Sequence, residues 1–390
     1  MIKAIRNTDY RCLRKFIFNM GIKGMRGFAR YQRRMKRGDF FPAFHFISVT
    51  DQCNLHCQGC WVTGKKKNNQ LPVEEVDRII SETKLQKSYF FGILGGEPLL
   101  YKPLPEIFRK HSDCYFQLFT NGTLLTPAVA EELRKCANVT PCISFEGNEK
   151  VADVRRGGIN VYARTRQAID NATKAGLITG VAISVCKSNL EMATSDEFIQ
   201  SLIDQKVMYL WYYIYRPVGE NAMPSLALSA DEILRLRKHI LDARSRFGIA
   251  VIDTYWNEKG EPFCPAAKGL SHHINASGDI EPCPVIQFST DSVFAGKLID
   301  IYHQSAFLNE VRTVFPKLSN GCPVMDNPQQ LVDFIGSHDA KDSSGRSNEY
   351  DRLNEMPPVD SHGFCPVIPE KRWIYRFAKR RAFFGLGAYG

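Results

Sequence analysis

The chain has 390 residues, 44% of them hydrophobic and 24% charged, with 12 cysteines and a formal net charge of +10. That much apolar material builds a sizeable core and excludes a disordered or fibrous chain, and so sparse a cysteine content excludes a disulfide scaffold. No run approaches the ~18 apolar residues of a spanning helix, and no N-terminal stretch joins an apolar core to a cleavage site; a reducing cytoplasm is expected, where clustered cysteines point to metal or redox sites.

Residues 1–38 hold 12 Lys/Arg against one acid, Asp9; residues 371–390 hold six against none; the body between carries −7. Segment 1–42 is a basic amphipathic stretch. In it Leu13, Phe16, Ile17 and Met20, then Met25, Phe28 and Tyr31, recur at helical intervals. Such helices suit an anionic membrane surface, placing the protein peripherally on the inner face of a membrane. The alternative is a helix that closes one end of the next domain with a solvated basic face. No nucleic-acid partner is expected, because no DNA- or RNA-binding module is recognisable.

From residue 43 to 250 strands and helices alternate. Strands are predicted over 43–50, 88–94, 114–120, 139–145, 178–185 and 208–215, and helices over 72–84, 103–111, 127–136, 160–176, 195–206 and 229–248. Six strand-then-helix units require crossovers between parallel neighbours and imply an α/β fold, a partial (β/α)6 parallel barrel. Chemistry in such sheets collects at the carboxyl ends of the strands. The cysteines of "CNLHCQGC" (53–60), then "GGEP", "TNG" and "SFEG", each follow a strand directly.

The pattern breaks after residue 250. Segment 251–370 reads as a small α+β, cysteine-rich extension: a hairpin about "NASGD" (275–279), helices over 299–315 and 327–338, and a polar, breaker-rich stretch over 339–362 expected to be mobile. Residues 371–390 form a basic aromatic tail carrying Trp373, Phe377, Phe383 and Phe384.

Cys53, Cys57 and Cys60 supply three thiols from one tight loop. A [4Fe–4S] cluster wants a ligand on each of its irons, so three thiolates leave one iron open. A zinc site borrowing a distant ligand, or cysteines filling a core, are the other readings of the spacing. The CxxxCxxC loop after the first strand, with "GGEP" after the second, resembles the radical S-adenosylmethionine (SAM) superfamily. The resemblance implies that Cys53, Cys57 and Cys60 hold a [4Fe–4S] cluster whose open iron is chelated by SAM. It further implies that SAM is cleaved reductively to a 5′-deoxyadenosyl radical that abstracts hydrogen from a substrate.

By the same resemblance Gly95, Gly96, Glu97 and Pro98 border the methionine amine, with the Glu97 carboxylate accepting it. Asn121, Ser144 and Glu146 meet the ribose and carboxylate. Arg156 is the partner for the SAM carboxylate, with Arg155 as rival and Asn189 as a further candidate. Each of these residues also has an ordinary turn or cap role open to it. The family's usual aromatic residue before the third cysteine is replaced by Gly59, as also occurs in the hopanoid-biosynthesis branch, whose members act on lipids.

"CPAAKGLSHHINASGDIEPC" (264–283) and "AGKLIDIYHQSAFLNEVR" (295–312) resemble the SPASM or twitch extension, which carries auxiliary clusters. That implies a second [4Fe–4S] cluster on Cys264, Cys283, Cys322 and Cys365, with a zinc knot of the same thiolates, or a three-Cys cluster without Cys365, as alternatives. His272 and His273 are adjacent on a strand and point to opposite faces, so they do not ligate together. Cys12, Cys114, Cys136, Cys142 and Cys186 lack ligand spacing and are expected in the core. Trp211, Tyr212, Tyr213 and Tyr215 divide between core and substrate pocket, and Arg216 is placed to meet a charged substrate group. No catalytic side chain is assigned.

The functional expectation is a radical SAM enzyme acting on a lipid or lipid-linked molecule, reduced by a small donor such as flavodoxin or ferredoxin. A ribosomal-peptide maturase is the alternative. The non-enzyme alternative is an iron–sulfur electron-transfer or zinc-structural protein.

Overall fold

A computed structural model describes residues 2–65, 68–220 and 222–381. Among the described residues twelve strands are formed: β1 (Phe44–Ser48), β2 (Phe90–Leu94), β3 (Tyr115–Thr120), β4 (Val139–Ser144), β5 (Gly180–Val185), β6 (Tyr209–Ile214), β7 (Ala250–Ile252), β8 (Ser271–Ile274), β9 (Asp279–Glu281), β10 (Phe288–Ser289), β11 (Asp291–Ser292) and β12 (Lys341–Asp342). Ten of them make one sheet in the order β11-β9-β8-β1-β2-β3-β4-β5-β6-β7, and β10 pairs with β12 apart from it. Strands β1 to β7 are parallel to their neighbours. The six expected strands appear with ends shifted by at most two residues.

The three-residue β7, which extends the sheet beyond β6 and is too short to show a period, was not expected. Nor was the parallel pairing of β8 with the free edge of β1, His45 opposite His272. The hairpin about Gly278 does form, β8 against β9. It thereby joins the extension to the barrel's first strand as one continuous sheet.

Alternation along each strand sorts the core. Phe44, Phe46, Phe90, Tyr115, Cys142, Tyr209 and Trp211 face inward as one cluster. Ile47, Ile93, Leu118, Ile143, Val181 and Leu210 face outward onto the helices. The crossover helices begin where their sequences say. Thr126 caps Pro127–Cys136, Ser195 caps Asp196–Asp204, and Ser229 with Glu232 forms a reciprocal capping box on Ala230–Arg246. The expected helix over 299–315 divides at Ser305, whose side chain caps Ala306–Leu318 after Leu298–Gln304 has ended.

The N-terminal segment closes the end of the barrel opposite the cysteines. Asn19 donates to the carbonyls of Ser112 and Cys114, just ahead of β3, and Asp9 N–H to Gly176, ahead of β5. Met20, Phe28 and Tyr31 are buried in the inner cluster. Most of the apolar face that suits a membrane is therefore spent on packing, although Ile17 and Phe18 remain 48% and 55% exposed.

Residues 339–362 are pinned, contrary to expectation. Buried Arg346 donates to the carbonyls of Trp61 and Thr63 and pairs with Glu349, and helix Glu349–Glu355 follows. Helix Trp373–Arg381 is held by Lys379, which reaches Asp253 at 2.8 Å, while Trp373, Ile374 and Phe377 are exposed. Phe383 and Phe384 lie outside the described residues. Among the described residues no helix is long and apolar enough to cross a membrane. Cys12, Cys114, Cys136, Cys142 and Cys186 are all buried.

Candidate functional site

The loops after β1 to β6 enclose a cavity of ≈ 270 Å³ lined by Cys53, Cys57 and Cys60 together with Gly95, Gly96, Asn121, Ser144, Glu146, Arg155 and Arg156. It sits at the carboxyl ends of parallel strands, where backbone polar groups leave the ladder and face space.

The two glycines of "GGEP" act first on the cysteine loop. A Cβ on Gly95 would lie 2.2 Å from the Thr50 carbonyl oxygen, and one on Gly96 2.2 Å from that of Gln52. The bare backbones meet instead: Gly96 N–H donates to Thr50 at 2.9 Å and Glu97 N–H to Gln52 at 2.7 Å. The second strand's loop thus seats the first strand's loop.

Glu97 does not face the cavity, which corrects the expectation that its carboxylate takes the methionine amine. Fully buried, it accepts from Leu99 N–H at 3.0 Å, Thr120 Oγ1 at 2.7 Å and Asn121 N–H at 2.8 Å. Its work is to tie the end of β2 to the end of β3. Pro98, itself buried, opens a 3-10 turn behind it and is likewise outside the lining.

Asn121 borders the cavity, but its amide also bonds Asn54 at 2.9 Å and its carbonyl accepts from Thr123. Glu146 is 7% exposed and engaged with two guanidiniums. Arg156 Nη2 lies 2.7 Å from Oε1; Arg155 Nη1 lies 3.0 Å from Oε2 without hydrogen-bond alignment. Glu146 therefore positions arginines and has little left for a ribose. Arg156 also reaches to 3.9 Å from Cys57 Sγ. Arg155 turns its Nη1 toward the Ser184 carbonyl and Cys186 Sγ. Of the two, Arg156 is the one beside the cysteines. Asn189 stands outside the lining and braces the carbonyls of Glu146 and Ser184.

Gly59 has a structural reason that sequence reasoning missed. A Cβ there would lie 2.3 Å from Tyr215 Oη and within 2.6–2.8 Å of its ring, and φ is +67°. Tyr215, from the end of β6, fills the space that a side chain at position 59 would take, and its hydroxyl accepts from Met223 N–H at 3.1 Å. The other missed residue is Arg346, whose bonds to Trp61 and Thr63 hold the far end of the cysteine loop from 283–285 residues away.

A second, smaller cavity of ≈ 20 Å³ is lined by Cys264, Cys283 and Cys322, with His362 and Arg216. Cys365, also buried, stands outside that lining. Arg216 borders both cavities. Its Nε donates to Cys322 Sγ at 3.0 Å and its Nη1 to Tyr255 Oη at 3.2 Å, so much of its charge is already committed. His272 and His273 face opposite ways as expected. His273 bonds Ser48 at 2.7 Å and Glu281 at 2.6 Å, while His272 packs against Phe40 and Tyr302.

Three soft sulfur donors on one loop, open to a cavity and lacking a fourth protein ligand, fit an iron–sulfur cluster with one iron left to another ligand. Burial pushes the Cys53 thiol up to about 11 and the Cys57 thiol up to about 12, so it is metal charge that would make them thiolates. Among the described residues no three His, Cys, Asp or Glu side chains converge on a single ion.

Comparison with known proteins agrees with this chemistry. Residues 47–195 match the model of the Radical SAM superfamily. The AdoMet-dependent heme synthase of Methanosarcina barkeri is 32% identical over 151 residues, 37% of this chain and 43% of that protein. The sporulation killing factor maturation protein SkfB of Bacillus subtilis is 23% identical over 274 residues, 67% of this chain and 65% of that protein. The chain thus spans less than two thirds of either relative. SuiB of Streptococcus suis bound to S-adenosylmethionine shares the fold, with a TM-score of 0.64 at 17% identity, over 86% of this chain and 81% of that one.

Proposed function

Because residues 47–195 are a radical SAM domain, we propose that this enzyme cleaves SAM at a [4Fe–4S] cluster held by Cys53, Cys57 and Cys60. When bound, the cluster and SAM supply a 5′-deoxyadenosyl radical that takes hydrogen from a substrate. The supporting observation is that the three thiols open onto the one cavity that also holds Gly95, Gly96, Asn121, Ser144 and Arg156.

In this reading the Gly95 and Gly96 backbone borders the SAM amine, and Arg156, anchored by Glu146, meets the SAM carboxylate. Trp61, Phe119, Tyr213 and Val218 line the remaining space with largely apolar surface. An electron comes from a small donor such as flavodoxin or ferredoxin. The test is anaerobic reconstitution followed by measurement of 5′-deoxyadenosine from SAM. Cysteine-to-alanine changes at 53, 57 and 60 abolish product, and product persisting in any of them removes the assignment.

For the substrate we favour a lipid or lipid-linked molecule met at an anionic membrane surface, with the protein cytoplasmic. Trp373, Ile374 and Phe377 project from a helix that ends in Arg380 and Arg381, and they are 70%, 50% and 51% exposed. Trp373→Ser with Phe377→Ser reduces sedimentation with anionic liposomes at least severalfold; equal sedimentation refutes the membrane role. The alternative is a peptide substrate, favoured by the likeness to SkfB and SuiB. For the second cavity we propose an auxiliary [4Fe–4S] cluster on Cys264, Cys283 and Cys322.

A further inference from the structure

We propose that the fourth protein ligand of the auxiliary cluster is His362, through Nδ1, and that Cys365 is not a ligand. The inference rests on the reading of the second cavity as a cluster site and names the residue that completes it.

The imidazole is buried, 1% exposed, and lines the same cavity as Cys264, Cys283 and Cys322. Its Nε2 lies 3.0 Å from the carbonyl oxygen of Phe263. A carbonyl only accepts, so Nε2 carries the proton and Nδ1 keeps a bare lone pair. That Nδ1 is buried and has no hydrogen-bond partner. An unsatisfied buried polar atom is costly, because it gives up hydration with nothing in return. A metal ligand whose other ring nitrogen donates to a backbone carbonyl is the usual arrangement of a coordinating histidine. The carbonyl here belongs to the residue just before Cys264.

The ring is also held in place. Ser361 Oγ accepts from Cys322 N–H at 3.0 Å and donates to Asp326 at 2.7 Å, and Ser361 N–H donates to the same carboxylate at 2.9 Å. Gly321 packs so tightly on this segment that a Cβ there would lie 2.0 Å from Ser361 Oγ. His362 is thus fixed beside Cys322. Cys365, at the far side of the 3-10 turn His362–Phe364, is buried away from the lining.

The test uses the full chain with Cys53, Cys57 and Cys60 changed to Ala, so that any cluster present is the auxiliary one. After anaerobic reconstitution it retains about four irons. In the reduced state pulsed electron paramagnetic resonance shows a directly bound nitrogen, whose signal changes when histidine is labelled with ¹⁵N. His362→Cys keeps the iron and loses the nitrogen coupling; Cys365→Ser keeps both. Iron without a histidine coupling, a coupling that survives His362→Cys, or iron lost in Cys365→Ser overturns the assignment and leaves the second cluster standing. A triple variant that binds no iron overturns the cluster reading and the ligand with it.

Discussion

Glu146→Gln is the most informative single change, because it keeps shape and removes one charge. The carboxylate lies 2.7 Å from Arg156 and 3.0 Å from Arg155, and the three side chains are only 7%, 12% and 7% exposed. At an effective dielectric of about 20, each pair attracts by roughly 4–6 kcal/mol before desolvation is subtracted. Breaking such a buried group by removing one partner costs about 3–5 kcal/mol, because the cations stay behind unpaired. Against a total stability of about 5–15 kcal/mol this is a large fraction. Urea unfolding at neutral pH, without SAM, reads it directly. Replacing the whole group, Glu146→Gln with Arg155→Met and Arg156→Met, recovers most of the loss, since apolar substitution of a full buried ion group is close to neutral. A Glu146→Gln unfolding free energy within about 1 kcal/mol of the parent, the worth of an exposed pair, would refute the reasoning.

Gly96→Ala places a methyl against the Gln52 carbonyl at 2.2 Å; overpacking of this kind costs about 1–3 kcal/mol, and iron loading on the cysteine loop falls with it, measured as iron per chain. Gly59→Ala suffers both a positive φ and the Tyr215 ring. Tyr215→Ala relieves only the second, so a double-mutant cycle in urea returns a coupling of about 0.5–3 kcal/mol, and strict additivity contradicts the contact. Asp253 is wholly buried among Arg237, Arg244 and Lys379. Burial alone would raise its carboxyl pKa, but Arg244, Lys379 and Arg237 outweigh it and hold it well below the usual range. A depressed carboxyl stabilises the fold above its unfolded pKa of about 4, and that contribution fades as pH falls below it. Asp253→Asn therefore lowers stability at pH 7 by about 3–5 kcal/mol and flattens the acid limb of stability against pH; an unchanged limb counts against the three-cation site.

What the chain's pattern discloses, and what it hides, follows from how far each interaction reaches. The six strands are legible because alternation and buried runs are local, and the cysteine loop because three donors fall within eight residues. Side-chain direction is not local. "GGEP" looks like a ligand-facing motif, yet Glu97 turns away to donors from Thr120 and Asn121, on a different strand. Polar composition made 339–362 read as loose, because the carbonyls that satisfy Arg346 belong to Trp61 and Thr63. The four later cysteines look like a ligand set by number, but Cys365 stands outside the lining that the other three share, and the orphaned nitrogen of His362 becomes visible only when every partner has been placed. Arg216 is a second such case. Position 216 follows β6, and Cys322 lies 106 residues on, yet one guanidinium bonds that sulfur while bordering both cavities. Arg216 and Val285 each line both cavities, so the two sites share a wall that no local stretch of sequence announces.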